Sequence, residues 1–292
     1  YESYSKDLIF KLDNYVSPTL ADQWYPFAVQ SSTFDNSLFA IPFAADALIM
    51  VYRPTAVEVP PESFQDVFTK TGPFAFPAAD SQGIFPLALY QAHAVSFTDE
   101  KDQLTISQPE LETGLRFFQQ GAITNLMPFW LTQYETDDLS WLAFRENRAQ
   151  MVVTWASNFL SEPPVGANAA PIPTHDGTPF SVSMGWSWAL TSPNLERQEI
   201  TYELIEFLSE DEFMGHWTQA AGFFPSKPEA LVFWNQSVNL ALATNLLPNT
   251  ISLPPVSVLE NIGTLFSEAV INILKQELTA DEAAEIILDS IP

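Results

Sequence analysis

Three short and almost wholly apolar runs constrain the fold of this 292-residue chain most strongly. They are Ala47 to Tyr52 (ALIMVY), Gln150 to Trp155 (QMVVTW) and Ser183 to Leu190 (SMGWSWAL). Such runs are typical of strands that are covered on both faces, because a half-exposed strand alternates apolar and polar residues. Helical patterns separate the runs. The sequence therefore predicts an α/β protein with largely buried sheets.

The helical patterns have recognisable starts and apolar faces. Ser107 to Glu110 and Thr279 to Glu282 read as capping boxes, in which a hydroxyl and a carboxylate satisfy the first backbone N–H groups. A helix over Glu196 to Leu208 is expected to face inward through four apolar side chains. These are Ile200, Leu204, Phe207 and Leu208. A long helix near the C-terminus has its apolar face on Leu259, Ile262, Phe266, Val270 and Leu274.

Length and charge narrow the class of protein. A single core stops growing at roughly 250–300 residues, so two lobes are expected. The net charge is −25, from 36 acidic and 11 basic side chains. Such a chain repels the phosphates of nucleic acids, and nucleic-acid binding is set aside. No uninterrupted run of about 18 apolar residues is present, so the sequence predicts no membrane span.

Motifs for enzyme chemistry are absent from the sequence. It contains no cysteine, no glycine-rich phosphate loop and no GxSxG motif. Its three histidines, His93, His175 and His216, lack metal-ligand spacing. We therefore expect a non-enzyme without a metal or another cofactor. A pair of carboxylates could still hydrolyse glycosides, with Asp46, Asp80 and Glu135 as conceivable members.

Seven segments, in order along the chain, resemble one family of proteins. It is extracellular solute-binding protein family 1, which includes maltose-binding protein and many sugar receptors of ABC transporters. The segments are Leu8 to Tyr15, Phe39 to Tyr52, Pro60 to Val67, Phe144 to Trp155, Met184 to Leu190, Glu196 to Leu208 with Ala221 to Ser226, and Val270 to Ile287. Asn147-Arg148 replaces the usual Gly-Lys turn, and Asn tolerates the left-handed backbone that this turn requires.

The resemblance implies a fold and its domains. The fold would be the type II fold of periplasmic binding proteins, with two lobes joined by crossing strands near Ala44 to Ala47 and Gly185 to Trp188. Lobe 1 would hold residues 1–44 and 189–235, and lobe 2 would hold 45–188 and 236–292. Relative to the family, the N-terminal strands of lobe 1 are missing. We expect either a fragment of a longer precursor or a second chain that supplies them.

The resemblance also implies a function. The chain would be the extracellular substrate-binding component of an ABC transporter, and it would capture a small neutral solute, a sugar or oligosaccharide, in a cleft between the lobes. Its partners would be that solute and the membrane subunits of the transporter, and it would act as a monomer. Its location would be extracellular or periplasmic, with a lipid anchor in the absent N-terminal segment.

Eight residues are the candidates for ligand binding, because they lie where the family binds its ligands. They are Phe43, Asp46, Trp155, Ser157, Asn158, Gly185, Trp186 and Phe223. Sugars present hydroxyls and apolar C–H faces, so flat rings and polar side chains suit them. Packing is the alternative explanation for each aromatic residue, and a backbone partner is the alternative for Asp46.

Three other functions remain open. A cationic solute such as a polyamine would suit the acidic charge and the aromatic rings of the same fold. An enzyme that acts on carbohydrates would require turnover and a catalytic carboxylate. A module for interaction without transport would bind no small solute.

Overall fold

The computed structural model describes residues 2–16, 22–98, 103–235 and 238–291. The α-helices in these ranges are α1 (Glu2–Ser5), α2 (Pro26–Ser32), α3 (Phe64–Val67), α4 (Ile84–Gln91), α5 (Gln108–Ile123), α6 (Asp137–Arg145), α7 (Ala156–Ser161), α8 (Leu195–Leu208), α9 (Asp211–Ala221), α10 (Val238–Leu246), α11 (Val256–Leu274) and α12 (Ala280–Ser290). The strands are β1 (Thr33–Phe34), β2 (Ser37–Leu38), β3 (Ala40–Tyr52), β4 (Phe74–Ala75), β5 (Met151–Trp155), β6 (Asn168–Ala170), β7 (Ser181–Ala189), β8 (Phe224–Pro225) and β9 (Thr250–Ser252). Helices and strands are interspersed along the chain, and this mixed α/β architecture confirms the predicted fold class.

The chain forms two compact units. Unit 1 comprises Tyr1–Ala47, Ala156–Glu162 and Val182–Leu253, and unit 2 comprises the remaining residues. The predicted lobe boundaries include residues 156–162 and 238–253 in the second lobe. They group with unit 1 because α7 packs against α9, and because the Leu253 N–H donates to the Ser183 carbonyl at 2.9 Å. The chain re-enters unit 1 after Ser181, upstream of the expected crossing at Gly185 to Trp188.

Strand β3 is the longest strand of the described chain, and all 13 of its residues are buried. Its first half lies in unit 1, where it pairs antiparallel with β7 and β8. Its second half lies in unit 2, where it pairs antiparallel with β5 and β6. All three apolar runs of the sequence thus form strands, as predicted.

One core cluster of unit 1 lies between β3 and α8. It contains Leu12, Trp24, Ile41, Leu190, Tyr202 and Ile205. Helix α8 turns Tyr202 and Ile205 into this core, whereas Ile200, Leu204 and Phe207 are more than half exposed. The expected inward face of α8 is therefore wrong. The helix carries apolar residues around most of its circumference, and the Tyr15 ring, which stacks on Tyr202 at 5.2 Å, contributes to the choice of buried face.

The core of unit 2 is built by α4, α5, α11 and α12. All five apolar residues predicted to form the inner face of α11 are buried. The capping box of Thr279 and Glu282 is present at the start of α12, as predicted. By length and composition alone α11 could cross a membrane, but half of its apolar window is buried within unit 2, as in a core helix.

Candidate functional site

Unit 2 contains a pocket of about 220 Å³ that combines one indole ring with acidic side chains. Its lining residues are Leu48, Pro77, Asp80, Gln82, Ile84, Phe85, Glu135, Thr136, Asp137, Val153 and Trp155. Of the eight predicted site residues, Trp155 lies here. Asp80 and Glu135, the conceivable catalytic carboxylates, lie here too.

Strand topology explains why these residues meet. Strands β4 and β5 are parallel, with Phe74 opposite Met151. The carboxyl ends of parallel strands lie at the same edge of a sheet, and ligands of open α/β sheets gather there. The loop after β4 brings Asp80 to this edge, and Trp155 is the last residue of β5. The sequence placed Trp155 at a strand end for the same reason.

The acidic residues of the pocket differ in whether their carboxylates already accept hydrogen bonds within the protein. Asp80 accepts the Gln82 N–H at 3.0 Å and the Ile84 N–H at 3.1 Å, and so fixes the turn into α4. Asp137 accepts the Thr154 hydroxyl at 3.0 Å in the first turn of α6. Glu135 is exposed and has no hydrogen-bond or ion-pair partner among the described residues. Its carboxyl group is therefore the most readily available to a ligand.

Unit 1 carries a second candidate surface, an aromatic face. Trp186 is 49 % exposed, and its ring centroid lies 4.5 Å from that of Phe223. Trp217 of α9 is 41 % exposed and lies nearly parallel to Phe223 at 6.3 Å. Phe43 lies beneath them, buried, 4.9 Å from Trp217. Three of the predicted site residues, Phe43, Trp186 and Phe223, therefore share one cluster, but Phe43 is part of the core.

Two glycines allow the backbone approaches that build this face. Gly185 lies opposite Ala45 in the pairing of β3 with β7, and a Cβ atom there would lie 2.6 Å from the Ala44 carbonyl oxygen. Gly222 ends α9 with φ +78°, and a Cβ atom there would lie 2.8 Å from the Ser161 nitrogen. Gly185 thus brings the backbones of β3 and β7 close together, and Gly222 directs Phe223 into the cluster.

Asp46 lies on β3 in unit 1 and is only 4 % exposed. Its Oδ1 accepts the Ser157 N–H at 3.0 Å, in the first turn of α7. Burial raises the pKa of Asp46 to about 6, although hydrogen bonds from Ser157, Ala156 and Ala47 act in the opposite direction. The sequence leaves a backbone partner open for Asp46, and the structure contains one in the Ser157 N–H. Three predicted site residues, Asp46, Ser157 and Asn158, lie close together here.

Sequence reasoning missed several residues of the two surfaces. Trp217 lies within α9, where the sequence shows nothing to separate an exposed indole from a core residue. Gln82, Thr136 and Asp137 reach the pocket of unit 2 through turns and a helix start. The acidic start of α6 at Asp137 suits the helix dipole, and this explanation applies equally to helices far from any site.

The described residues include no group of three or more histidine, cysteine, aspartate or glutamate side chains that could hold a metal ion. Two histidines that are distant in sequence do meet in unit 2. The rings of His93 and His175 stack with centroids 3.8 Å apart. Burial, and next the neighbouring His175, lower the pKa of His93.

The fold is that of two-lobed solute-binding proteins. The maltose-bound MalE3 protein of T. maritima superposes with a TM-score of 0.78 at 16% sequence identity, over 100% of this chain and 81% of that one. The sugar-binding protein MalE of Xanthomonas citri gives a TM-score of 0.81 at 16% identity, over 99% and 80%. At this identity the likeness shows the fold alone.

Sequence comparison gives the family. Residues 3–241 match the bacterial extracellular solute-binding protein family, and the chain belongs to that family. Membership implies an extracellular or periplasmic location and a binding role. A maltotriose-binding protein of Pyrococcus abyssi is 25% identical over 176 residues, which are 57% of this chain. The matched part is 38% of the length of that relative.

Proposed function

We propose that this chain is the ligand-binding part of a receptor that captures a sugar or oligosaccharide and delivers it to an ABC transporter. The observation that carries the proposal is the pocket of unit 2, where Trp155 lies beside Asp80, Glu135 and Asp137. An indole ring covers the apolar C–H face of a sugar, and carboxylate oxygens accept its hydroxyls. The maltotriose-binding relative and the maltose-bound structural neighbour make maltooligosaccharides the first ligands to test.

The aromatic face of unit 1 supports the same ligand class. Trp186 and Trp217 each expose more than two fifths of their surface, which is unusual for large rings without a partner. Flat rings that are held by packing lose little conformational entropy when a ligand covers them. Within this proposal, Trp155 is the candidate sugar contact of unit 2, and Trp186, Phe223 and Asn158 are the candidates of unit 1. Phe43 and Gly185 shape the surface.

A cationic solute is the second candidate, and a specific observation favours it. The pocket of unit 2 contains three acidic side chains and no lysine or arginine. The net charge of −25 would attract a polyamine over long distances. Hydroxyl recognition needs acceptors but no excess of charge, so the two ligand classes give different results in the same binding experiment.

Hydrolysis of a glycoside is the least supported of the alternatives. Both oxygens of Asp80 already accept backbone N–H groups, and Asp46 is buried in unit 1. A catalytic pair needs one carboxyl group to donate a proton and a second to act as nucleophile or base. We therefore propose that the chain binds its ligand without turnover.

The proposal extends to partners and location. The receptor would act as a monomer, and the membrane subunits of the transporter would accept the sugar from it. A lipid anchor would hold it at the membrane surface. Detergent partitioning of the native gene product, together with its mass, tests the anchor, and analytical ultracentrifugation tests the monomer.

Calorimetric titration at pH 7.5 tests the ligand class, with maltose, maltotriose, spermidine and putrescine as the panel. We expect saturable binding of a maltooligosaccharide, and chromatography after overnight incubation should recover it intact. Binding of a polyamine alone would transfer the proposal to cationic solutes. Shortened sugar products would support an enzyme, and a folded protein that binds none of the four would contradict both receptor hypotheses.

A further inference from the structure

Asp46 is a buried acid that has no ion-pair partner among the described residues. Strands β7 and β8 and helix α7 carry no titratable residue, and β3 adds only Tyr52 at its far end. Helix α9, which packs against α7, carries Asp211, Glu212 and His216. Met184 lies opposite Asp46 on β7, and Ser157 faces it from α7. A buried carboxylate that relies on hydrogen bonds alone is costly, and such groups concentrate at functional sites.

The position of Asp46 in the chain suggests a functional reason for burying its carboxylate. Asp46 is followed by Ala47, the last residue of the first segment of unit 1. Its partner Ser157 is the second residue of α7. Trp155, which lines the pocket of unit 2, is separated from Ser157 by one residue. The carboxylate of Asp46 therefore fixes the backbone directly after the ring that we propose to contact the ligand.

We infer that Asp46 is a positioning residue for sugar binding: its carboxylate holds the first turn of α7, and with it the backbone of Trp155, and protonation of Asp46 loosens this hold. The inference rests on the proposed function. The role that we infer is exerted through the hydrogen bond to Ser157, because the Asp46 side chain is only 4 % exposed.

The pH dependence follows from the hydrogen bonds. The ionised carboxylate accepts the Ser157 N–H in a charge-assisted bond, which is roughly twice as strong as a neutral one. Protonation replaces this bond with a neutral one and turns one oxygen into a donor. The pKa of Asp46 is raised to about 6, so the change falls between pH 5 and 7. Sugar affinity should be high above this range and lower below it.

The experiment measures maltotriose affinity by calorimetry from pH 5 to pH 8 for three proteins. These are the wild type, Asp46→Asn, and the control Asp289→Asn at the exposed end of α12. The wild type and the control should lose roughly tenfold in affinity towards pH 5, because a charge-assisted bond becomes a neutral one. Asp46→Asn should show no pH dependence and match the acidic wild type. A wild-type affinity that is constant with pH, or an unchanged slope in Asp46→Asn, would overturn the inference.

A second measurement separates this inference from the proposed function. The amide resonance of Ser157, followed by NMR in the absence of sugar, should titrate with a midpoint near 6 in the wild type. The same resonance should not titrate in Asp46→Asn. If maltotriose binds at no pH, the proposed function fails. The amide titration then tests by itself whether the Asp46 carboxylate fixes the first turn of α7. A Ser157 amide without a titration step in the wild type would refute that hold.

Discussion

The two candidate surfaces of this protein offer a ligand opposite kinds of chemistry. Unit 1 presents an aromatic face of Trp186, Trp217 and Phe223, and its nearby acid, Asp46, is buried. Unit 2 presents a pocket with a single indole, Trp155, and three acidic side chains at its wall. Apolar contact dominates the first surface, whereas hydrogen-bond acceptors dominate the second.

Under the proposed function, the difference predicts which part of a sugar each surface would recognise. Stacked rings bind C–H faces of many sugars with little regard to the hydroxyl pattern. Acceptors at fixed positions discriminate, because a ligand that lacks the matching hydroxyl leaves a buried polar group unpaired. We therefore expect unit 2 to set specificity and unit 1 to add affinity. The predictions below test this division, beginning with the largest effect.

Asp46→Asn should stabilise the folded protein by about 3 kcal/mol at pH 8, because an amide escapes the desolvation penalty of the carboxylate. The folded-state pKa is about 6, above the unfolded value of 3.8, so the folded wild type binds more protons between these values. Its stability therefore falls as pH rises from 4 to 6, and the variant lacks this slope. Urea unfolding at several pH values measures both curves. A variant that is less stable than the wild type at pH 8 would contradict the account of Asp46.

Trp155→Ala should weaken maltotriose binding by about 2 kcal/mol, roughly 30-fold, because the pocket of unit 2 contains no other indole. Trp130→Ala is the matched control, since Trp130 belongs to unit 2 and does not line this pocket. Calorimetry compares the two variants with the wild type. Equal losses in both would show that the effect is a general loss of structure in unit 2.

Trp186→Ala should cost about 1.4 kcal/mol, or tenfold, because Trp217 and Phe223 still cover part of the sugar. Phe207 of unit 1 is similarly exposed, at 56 %, and serves as the control through Phe207→Ala. The division of roles adds a sharper expectation. Trp186→Ala should lower the affinity for glucose oligomers and for other sugars by the same factor. Substitutions in the pocket of unit 2 should instead change the ranking of the sugars by affinity.

Glu135→Gln should have the smallest effect on a neutral sugar, about threefold, because the amide oxygen still accepts a hydroxyl. For spermidine the same change removes a charge and should cost tenfold or more. Glu285→Gln on the exposed face of α12 is the control. Fluorescence titrations with both ligands separate the two ligand classes. A tenfold loss for maltotriose without a change for spermidine would contradict the roles assigned here.

The sequence predicted most accurately the elements in which the pattern of apolar residues has a single structural explanation. The run from Ala47 to Tyr52 is buried on both faces, so an apolar run sufficed. Asn147 has φ +60°, which confirms the left-handed turn expected where Asn replaces Gly. Helix α11 has one apolar face, and that face is buried.

Prediction failed where the same residue type is found in both buried and exposed positions. Helix α8 carries apolar side chains in several directions, and only the packing of Tyr202 and Ile205 decides which are buried. Trp217 could be a core residue or an exposed one, because both occur at the same helical spacing. The place of Trp155 at the end of a buried strand was predictable, because the apolar run ends there, and its role in ligand binding stays a prediction.

Hydrogen–deuterium exchange with and without saturating maltotriose tests the central claim most directly. We expect the ligand to slow exchange at the amides that line the pocket of unit 2, which are Gln82, Ile84, Glu135 to Asp137, and Trp155. Amides on the outer face of α12 should exchange at unchanged rates. Maltotriose that binds without protecting the pocket amides would contradict the assignment of this pocket as the sugar site.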